Sequence, residues 1–116
     1  MQRRSTTALF ALALLLAACV GTKDDGSPLS HADLRDADVA IAARAMQQAL
    51  ETLPDGRRLD WKGYVGTGGS FKPFRTYVST GGYYCRQYTE ELHLYDRTST
   101  FKHEACRDEQ GRWIWL

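Results

Sequence analysis

The sequence predicts an α+β fold: one N-terminal amphipathic helix packed on a small antiparallel β-meander of four to five strands, with one disulfide. Three observations carry this expectation. Leu34, Ile41, Ala42, Ala45, Met46, Ala49, Leu50 and Leu53 fall on one helical stripe, while Arg35, Arg44, Gln47, Gln48 and Glu51 occupy the remainder. After Pro54-Asp55-Gly56 the alanines give way to short runs of aromatic and β-branched residues separated by glycines. Finally, Cys85 and Cys106 flank a turn that lies midway between them.

The chain opens with Arg3 and Arg4, then an apolar run from Ala8 to Ala18 that ends in Leu-Ala-Ala-Cys at Leu16 to Cys19. A basic start, an apolar core of about ten residues and small residues before a cut site describe an export signal over residues 1–18. The run is too short to span a bilayer, which takes roughly twenty apolar residues. Its end resembles the bacterial lipobox. That resemblance implies cleavage before Cys19, thioether lipidation of its sulfur and acylation of the new amino group, as with palmitate. Two or more acyl chains anchor stably where one does not. Val20 follows the cysteine, and the sorting rule of enteric lipoproteins then implies the outer membrane, with a periplasmic or surface-exposed domain. Residues 19–30, rich in Gly, Asp and Ser, read as a flexible tether, and 31–116 as the domain.

Ser30 is a candidate N-cap with Asp33 three residues on, and Asp36 and Asp38 suit the positive end of a helix over about His31 to Leu53. The apolar stripe is expected to pack on the domain's own sheet, with a partner-binding helix as the alternative. Strands are expected at about Leu59 to Val65, Phe74 to Thr80, Tyr83 to Leu94, Thr100 to Arg107 and Arg112 to Leu116. The glycine-rich Gly63 to Ser70 lacks the setting of a phosphate loop and reads as a mobile hairpin loop. Short connections make neighbouring strands antiparallel.

Removing Arg3 and Arg4 from the 15 basic residues leaves 13 against 14 acidic ones, a net charge near −1. No basic stripe remains to bind nucleic acid. With Cys19 acylated, Cys85 and Cys106 are the remaining thiols, and they face an oxidising compartment. Pairing is the expected outcome, contributing roughly 3 kcal/mol for a closed loop of about twenty residues. The alternatives are a zinc site with His93 and His103, which lacks the usual close ligand spacing, and a catalytic thiol, which would oxidise beside a second cysteine. No cofactor and no metal are expected.

Glu90, Glu91, Glu104 and Asp108 are read as solvated charges rather than a catalytic acid pair, since adjacent strand residues point to opposite faces. Tyr77, Tyr83, Tyr84, Tyr88 and Tyr95, with Trp113 and Trp115, belong to core and sheet surface, with a sugar- or peptide-binding face as the alternative. Arg86 and Arg107 should project opposite the sulfurs, pairing with Glu104 or Glu90 across the hairpin or forming an anion site. Arg86, Tyr88, Arg107 and Trp113 are the candidate interaction residues.

Tyr-Cys-Arg-Gln-Tyr at Tyr84 to Tyr88, Glu104 to Trp113 with its Ala-Cys-Arg and Gly-Arg-Trp, and Trp61-Lys62-Gly63 after Pro54-Asp55-Gly56 recur in one known order. Together they resemble the outer-membrane lipoproteins of the rickettsial 17 kDa surface antigen type, over about Ala43 to Trp115. The best-known members carry a glycine-zipper segment before this domain. Here only the tether stands there, so no membrane-embedded or oligomerising role is carried over. The resemblance implies a non-enzymatic envelope lipoprotein with a structural or interaction role, its partner an envelope protein or a peptidoglycan-associated one. The alternative reading is a lipoprotein inhibitor of a peptidoglycan hydrolase, similar to small β-rich lysozyme inhibitors.

Overall fold

The computed structural model describes residues 28–116. The expected signal over 1–18, the lipidated Cys19 and the tether through Ser27 lie outside the described residues. Ser30 caps a single 3-10 turn, His31–Asp33: its hydroxyl accepts from the Ala32 N–H, and Asp33 accepts from the Ser30 N–H at 2.8 Å. That capping box closes on itself, so the chain extends at Leu34 and the helix proper, α1, runs Asp36–Thr52. The expected helix from His31 is therefore two elements. Asp36 and Asp38 occupy the first turn of α1, where its dipole favours them.

The sheet has five strands, β1 Leu59–Lys62, β2 Thr67–Val78, β3 Tyr84–Leu94, β4 Arg97–Arg107 and β5 Trp113–Trp115, in the order β1-β2-β3-β4-β5. Each pairs antiparallel with the next, as the short turns require. The helix lies on one face. Ala42, Ala45, Ala49 and Leu50 are buried against the sheet, and the small alanines let helix and sheet approach closely. Phe71, Tyr88, Leu92, Trp61 and Trp113 supply the bulk from the sheet side. Leu29, at the end of the expected tether, is buried in the same core, and its N–H donates to Ser99 Oγ at 2.8 Å.

Three strand boundaries differ from expectation by three residues or more, the first being that β1 ends at Lys62 rather than Val65. β2 starts at Thr67 rather than Phe74, because Gly68 and Gly69 are strand residues lying under Trp61, not a mobile loop. A Cβ on Gly69 would sit 2.7 Å from Trp61 Nε1, and one on Gly68 would sit 2.9 Å from the Trp61 carbonyl oxygen. These glycines serve close approach, a use that sequence does not distinguish from a turn. β4 starts at Arg97 rather than Thr100, because the β3–β4 turn is only Tyr95 and Asp96, with Tyr95 at φ 54. The Tyr95 N–H donates to Gly66 O at 2.6 Å, which joins this turn to the one between β1 and β2.

Pro73 is tolerated inside β2 because β1 pairs only as far as Phe71, so no neighbour on that side needs its missing N–H. Its carbonyl accepts from the Gly56 N–H at 2.7 Å and fixes the turn after α1. The ladder is irregular between Pro73 and Arg75, and in register from Cys85 to Leu94 against Arg97 to Cys106. Cys85 thus stands directly opposite Cys106 and is bonded to it, with the two Cα atoms 4.0 Å apart and no bulge between them. The bond removes both sulfurs from the zinc and catalytic-thiol alternatives.

Oxidised full-length protein should show no thiol reactivity at Cys85 or Cys106 by mass spectrometry after alkylation under denaturing conditions. Reduction should lower unfolding stability by about 3 kcal/mol. An equal denaturant midpoint with and without reductant would remove the staple from the stability argument.

Candidate functional site

Alternation along β3 and β4 divides the two Cys-Arg pairs between the faces of the sheet. The sulfurs meet on the open face, and both arginines project opposite them, as expected, onto the face that carries the helix. Their partners are not those expected. Arg86 is buried and donates through Nη1 to the Leu50 carbonyl at 2.7 Å and through Nη2 to Asp55 at 2.8 Å. Arg107 donates through Nε and Nη2 to Glu51 at 2.9 and 3.1 Å. Neither arginine pairs with Glu104 or Glu90 across the hairpin in these bonds. Both instead hold the C-terminal end of α1.

That end needs them. The last turn of α1 contains no basic residue, and Glu51 places a negative charge where the helix dipole is also negative. Arg86 supplies a donor to one of the orphan carbonyls of the last turn, and Arg107 compensates Glu51. Trp113 completes the contact: its indole N–H donates to Glu51 at 2.8 Å, while its backbone exchanges hydrogen bonds with Gln47 at 2.7 and 2.8 Å. A cleft of about 470 Å³ opens beside these groups, bordered by Pro54, Thr76 and Tyr84. Asp55 and Glu51 balance its two guanidinium groups, so the cleft has no net positive charge to offer an anion. Of the four candidate interaction residues, Arg86, Tyr88 and Trp113 are turned inward, and Arg107 is half-exposed.

A second polar cluster lies farther along the same face. Glu90, expected as a solvated charge, is 0% exposed. Its position on β3 points toward α1, and each carboxylate oxygen lies 2.8 Å from an imidazole nitrogen, Oε2 from His31 Nε2 and Oε1 from His103 Nε2. A carboxylate only accepts, so both Nε2 atoms donate. Trp115 stacks on His31 at 5.9 Å and meets His103 at 5.0 Å, and its indole N–H donates to the Tyr88 hydroxyl. Tyr88 in turn donates to Met46 Sδ at 3.3 Å. Burial pushes the Tyr88 phenol above its ordinary range, and the nearby Glu90 charge adds to that direction. Sequence pattern alone points to this cluster only through the alternation that sends residues 86, 88 and 90 to one face.

Elsewhere, the exposed tyrosines do not form one binding wall: Tyr83, Tyr84 and Tyr95 lie at strand ends and turns. His93 bridges Glu91 at 2.8 Å and Thr98 at 3.0 Å in a solvent-facing cross-strand ladder. Asp38, buried in the first turn of α1, accepts from the Tyr64 N–H at 3.0 Å, and a side chain at Gly63 would collide with its carboxylate. Among the described residues no helix is long and apolar enough to cross a membrane.

The two arginines should differ sharply in weight. Arg86→Met strips a buried charged donor from a helix carbonyl and a carboxylate, with an expected loss of about 2 kcal/mol in urea unfolding. Arg107→Met, at a half-exposed pair, should cost under about 1 kcal/mol. Equal losses would contradict the assignment.

Hydrogen bonds from Arg107, then Trp113, hold the Glu51 carboxyl below its ordinary value, and those from Arg86 do so for Asp55 against the opposing effect of burial. A depressed folded-state value stabilises the fold above the unfolded-chain value and loses that contribution as pH falls through the folded one. The melting temperature should therefore decline as pH drops below roughly 4. Glu51→Gln combined with Asp55→Asn should lower it at neutral pH and flatten the acid decline. A decline of unchanged steepness in the double variant would exclude these pairs as its source.

A family model described as the 17 kDa outer membrane surface antigen matches residues 48–114. The 17 kDa surface antigen of Rickettsia japonica is 32% identical over 83 residues, covering 71% of this chain and 52% of that protein. The same-named protein of Rickettsia conorii is 34% identical over 77 residues, 66% of this chain and 48% of its own length. That of Rickettsia prowazekii is 34% identical over 68 residues, 58% of this chain and 43% of its own length. The chain spans about half the length of the curated relatives it matches. These relatives are named as surface antigens, not as enzymes. No solved structure matches. The matched segment holds the disulfide, both arginines, both carboxylates of the helix clamp and Trp113, and on that match the chain belongs to the 17 kDa outer membrane surface antigen family.

Proposed function

We propose that this chain is a lipid-anchored protein of the bacterial outer membrane, cleaved before Cys19 and acylated there, with a non-catalytic domain that serves a structural or interaction role in the envelope. The family membership supports the location, and Leu-Ala-Ala-Cys at Leu16 to Cys19 supports the anchor. One observation carries the non-catalytic reading. The two arginines that follow the cysteines, Arg86 and Arg107, are engaged with the chain's own helix end through Leu50, Asp55 and Glu51. They act as a frame that holds a surface rather than as groups offered to a substrate. Recognition then falls to residues that remain accessible, among them Tyr84 at the clamp cleft and Trp115 on β5.

Metabolic labelling with palmitate tests the anchor. The full chain expressed in a Gram-negative host should incorporate label and fractionate with the outer membrane, and Cys19→Ala should abolish both. Label that survives Cys19→Ala, or a protein released to the soluble fraction without any substitution, would overturn this reading.

A further inference from the structure

Two turns meet at one end of the sheet. The Tyr95 N–H donates to the Gly66 carbonyl at 2.6 Å, and the Tyr95 ring lies so close over Gly66 that a Cβ there would sit 2.6 Å from it. We infer that the tip so formed, Tyr64, Val65 and Tyr95, rests in the headgroup region of the bilayer that holds the acylated Cys19. The inference rests on the anchor proposed above and adds which end of the domain turns to the membrane.

The tip is apolar although the core does not use it. Tyr64 is 56% exposed, Val65 77% and Tyr95 71%, and none of the three belongs to the buried cluster. Tyr95 also stands at φ 54, in the left-handed region that glycine and asparagine occupy readily and a bulky side chain rarely does. A large ring held in water, on a turn that a smaller residue would close more easily, points to a use of the ring itself. Tyrosine suits the boundary between water and hydrocarbon, because its ring is apolar and its hydroxyl polar. The Arg35 guanidinium lies over the Tyr64 ring at 4.4 Å, at the start of α1. The exposed charges of these turns and of the helix start cancel, Arg35 and Lys62 against Asp36 and Asp96. The surface that fits is therefore a lipid headgroup layer met through aromatic and apolar contact, and it need not be anionic.

The place where the chain enters the domain selects this end over the other. Leu29 is buried and bonded to Ser99. Ser99 stands four residues from Tyr95, no more than about 13 Å, and seven from Cys106, about 23 Å. Nine Cα steps from Cys19 to Pro28 reach at most about 32 Å. Val78, Tyr83 and Tyr84 are exposed at the opposite end, but to lay that end on the membrane the segment would have to run back along most of β4, nearly taut. The Tyr95 end is within reach with length to spare. This orientation turns the cleft beside Arg86 and Tyr84 away from the bilayer.

Fluorescence quenching of the full-length acylated protein tests the orientation, in phosphatidylcholine vesicles that contain doxyl-labelled phosphatidylcholine. A bimane label is attached at Val65→Cys or, at the opposite end, at Val78→Cys, and acylation of Cys19 is read by mass in the same samples. The tip label should be quenched at least about threefold more than the label at the opposite end. Tyr64→Ser combined with Tyr95→Asn, which leaves the turn a residue suited to its backbone, should reduce quenching of the tip label at least about twofold. In protein that carries the acyl group, equal quenching of the two labels, stronger quenching at the opposite end, or no effect of the double variant would each overturn the inference and leave the anchor standing. Absence of the acyl group from Cys19 would overturn the anchor, and the membrane-facing tip with it.

Discussion

The fold rests on how the C-terminal end of α1 is held. A seventeen-residue helix that ends in Glu51 and Thr52, with no basic residue in its last turn, cannot complete its own terminus. Arg86 and Arg107 do so from the sheet, two strands acting together because the Cys85–Cys106 bond joins them on the other face. Each Cys-Arg dipeptide therefore works through strand alternation: its sulfur fixes the hairpin, and its guanidinium fixes the helix to that hairpin. The turn after α1 is tied in by the same means, since Asp55 takes the second Arg86 bond and Gly56 donates to Pro73 on β2. Shifting either strand by one residue would send the arginines to solvent and the sulfurs into the helix interface.

Glu90 poses the opposite problem. A fully buried carboxylate costs several kcal/mol in desolvation unless its oxygens are well bonded, and even then an apolar replacement is often no less stable. Its partners are what give it consequence. His31 comes from the N-terminal turn and His103 from β4, so the pair of bonds at 2.8 Å draws the start of the domain onto its sheet. Leu29 does the same through packing and through its bond to Ser99. The N-terminal segment is thus attached by apolar packing at Leu29 and Leu34 and by polar contacts at Leu29 and His31. The His31–Glu90 contact borders a cavity that the alanines of α1 do not fill.

Much of this was legible in the sequence. The alanine-rich stripe, the change of character after Gly56 and the two cysteines on facing strands specify helix, meander and staple through periodicity and spacing alone. Ser30 and Asp33 were legible as a cap, but not that the capped turn would stop after three residues. Gly68 and Gly69 looked like a turn because glycine marks both a turn and a close approach, and only the position of Trp61 separates the two. The partners of Arg86 and Arg107 are not legible for a related reason: cross-strand neighbours follow from register, whereas a helix end lying over the sheet follows from tertiary packing. The burial of Glu90 is not legible because hydropathy places a carboxylate outside, and its two histidines lie 59 and 13 residues away.

The clamp and the cavity also divide the chain in an informative way. The segment matched by the family model begins at residue 48, so it contains Leu50, Glu51, Asp55, Arg86, the disulfide and Arg107. The charged partners of the helix-end clamp fall inside it, while Gln47, bonded to the Trp113 backbone, lies one residue before it. The cavity lies only partly inside. Glu90, Trp113 and Trp115 come from the strands, but Ala42, Ala43, Met46 and His31 precede the matched segment. The earlier turns of α1 and the N-terminal segment carry their own share of the fold, since Leu29, Leu34, Ala42 and Ala45 are buried in the core beside the clamp. The clamp thus fixes the C-terminal end of α1, and packing from Leu29 to Ala45 fixes the other.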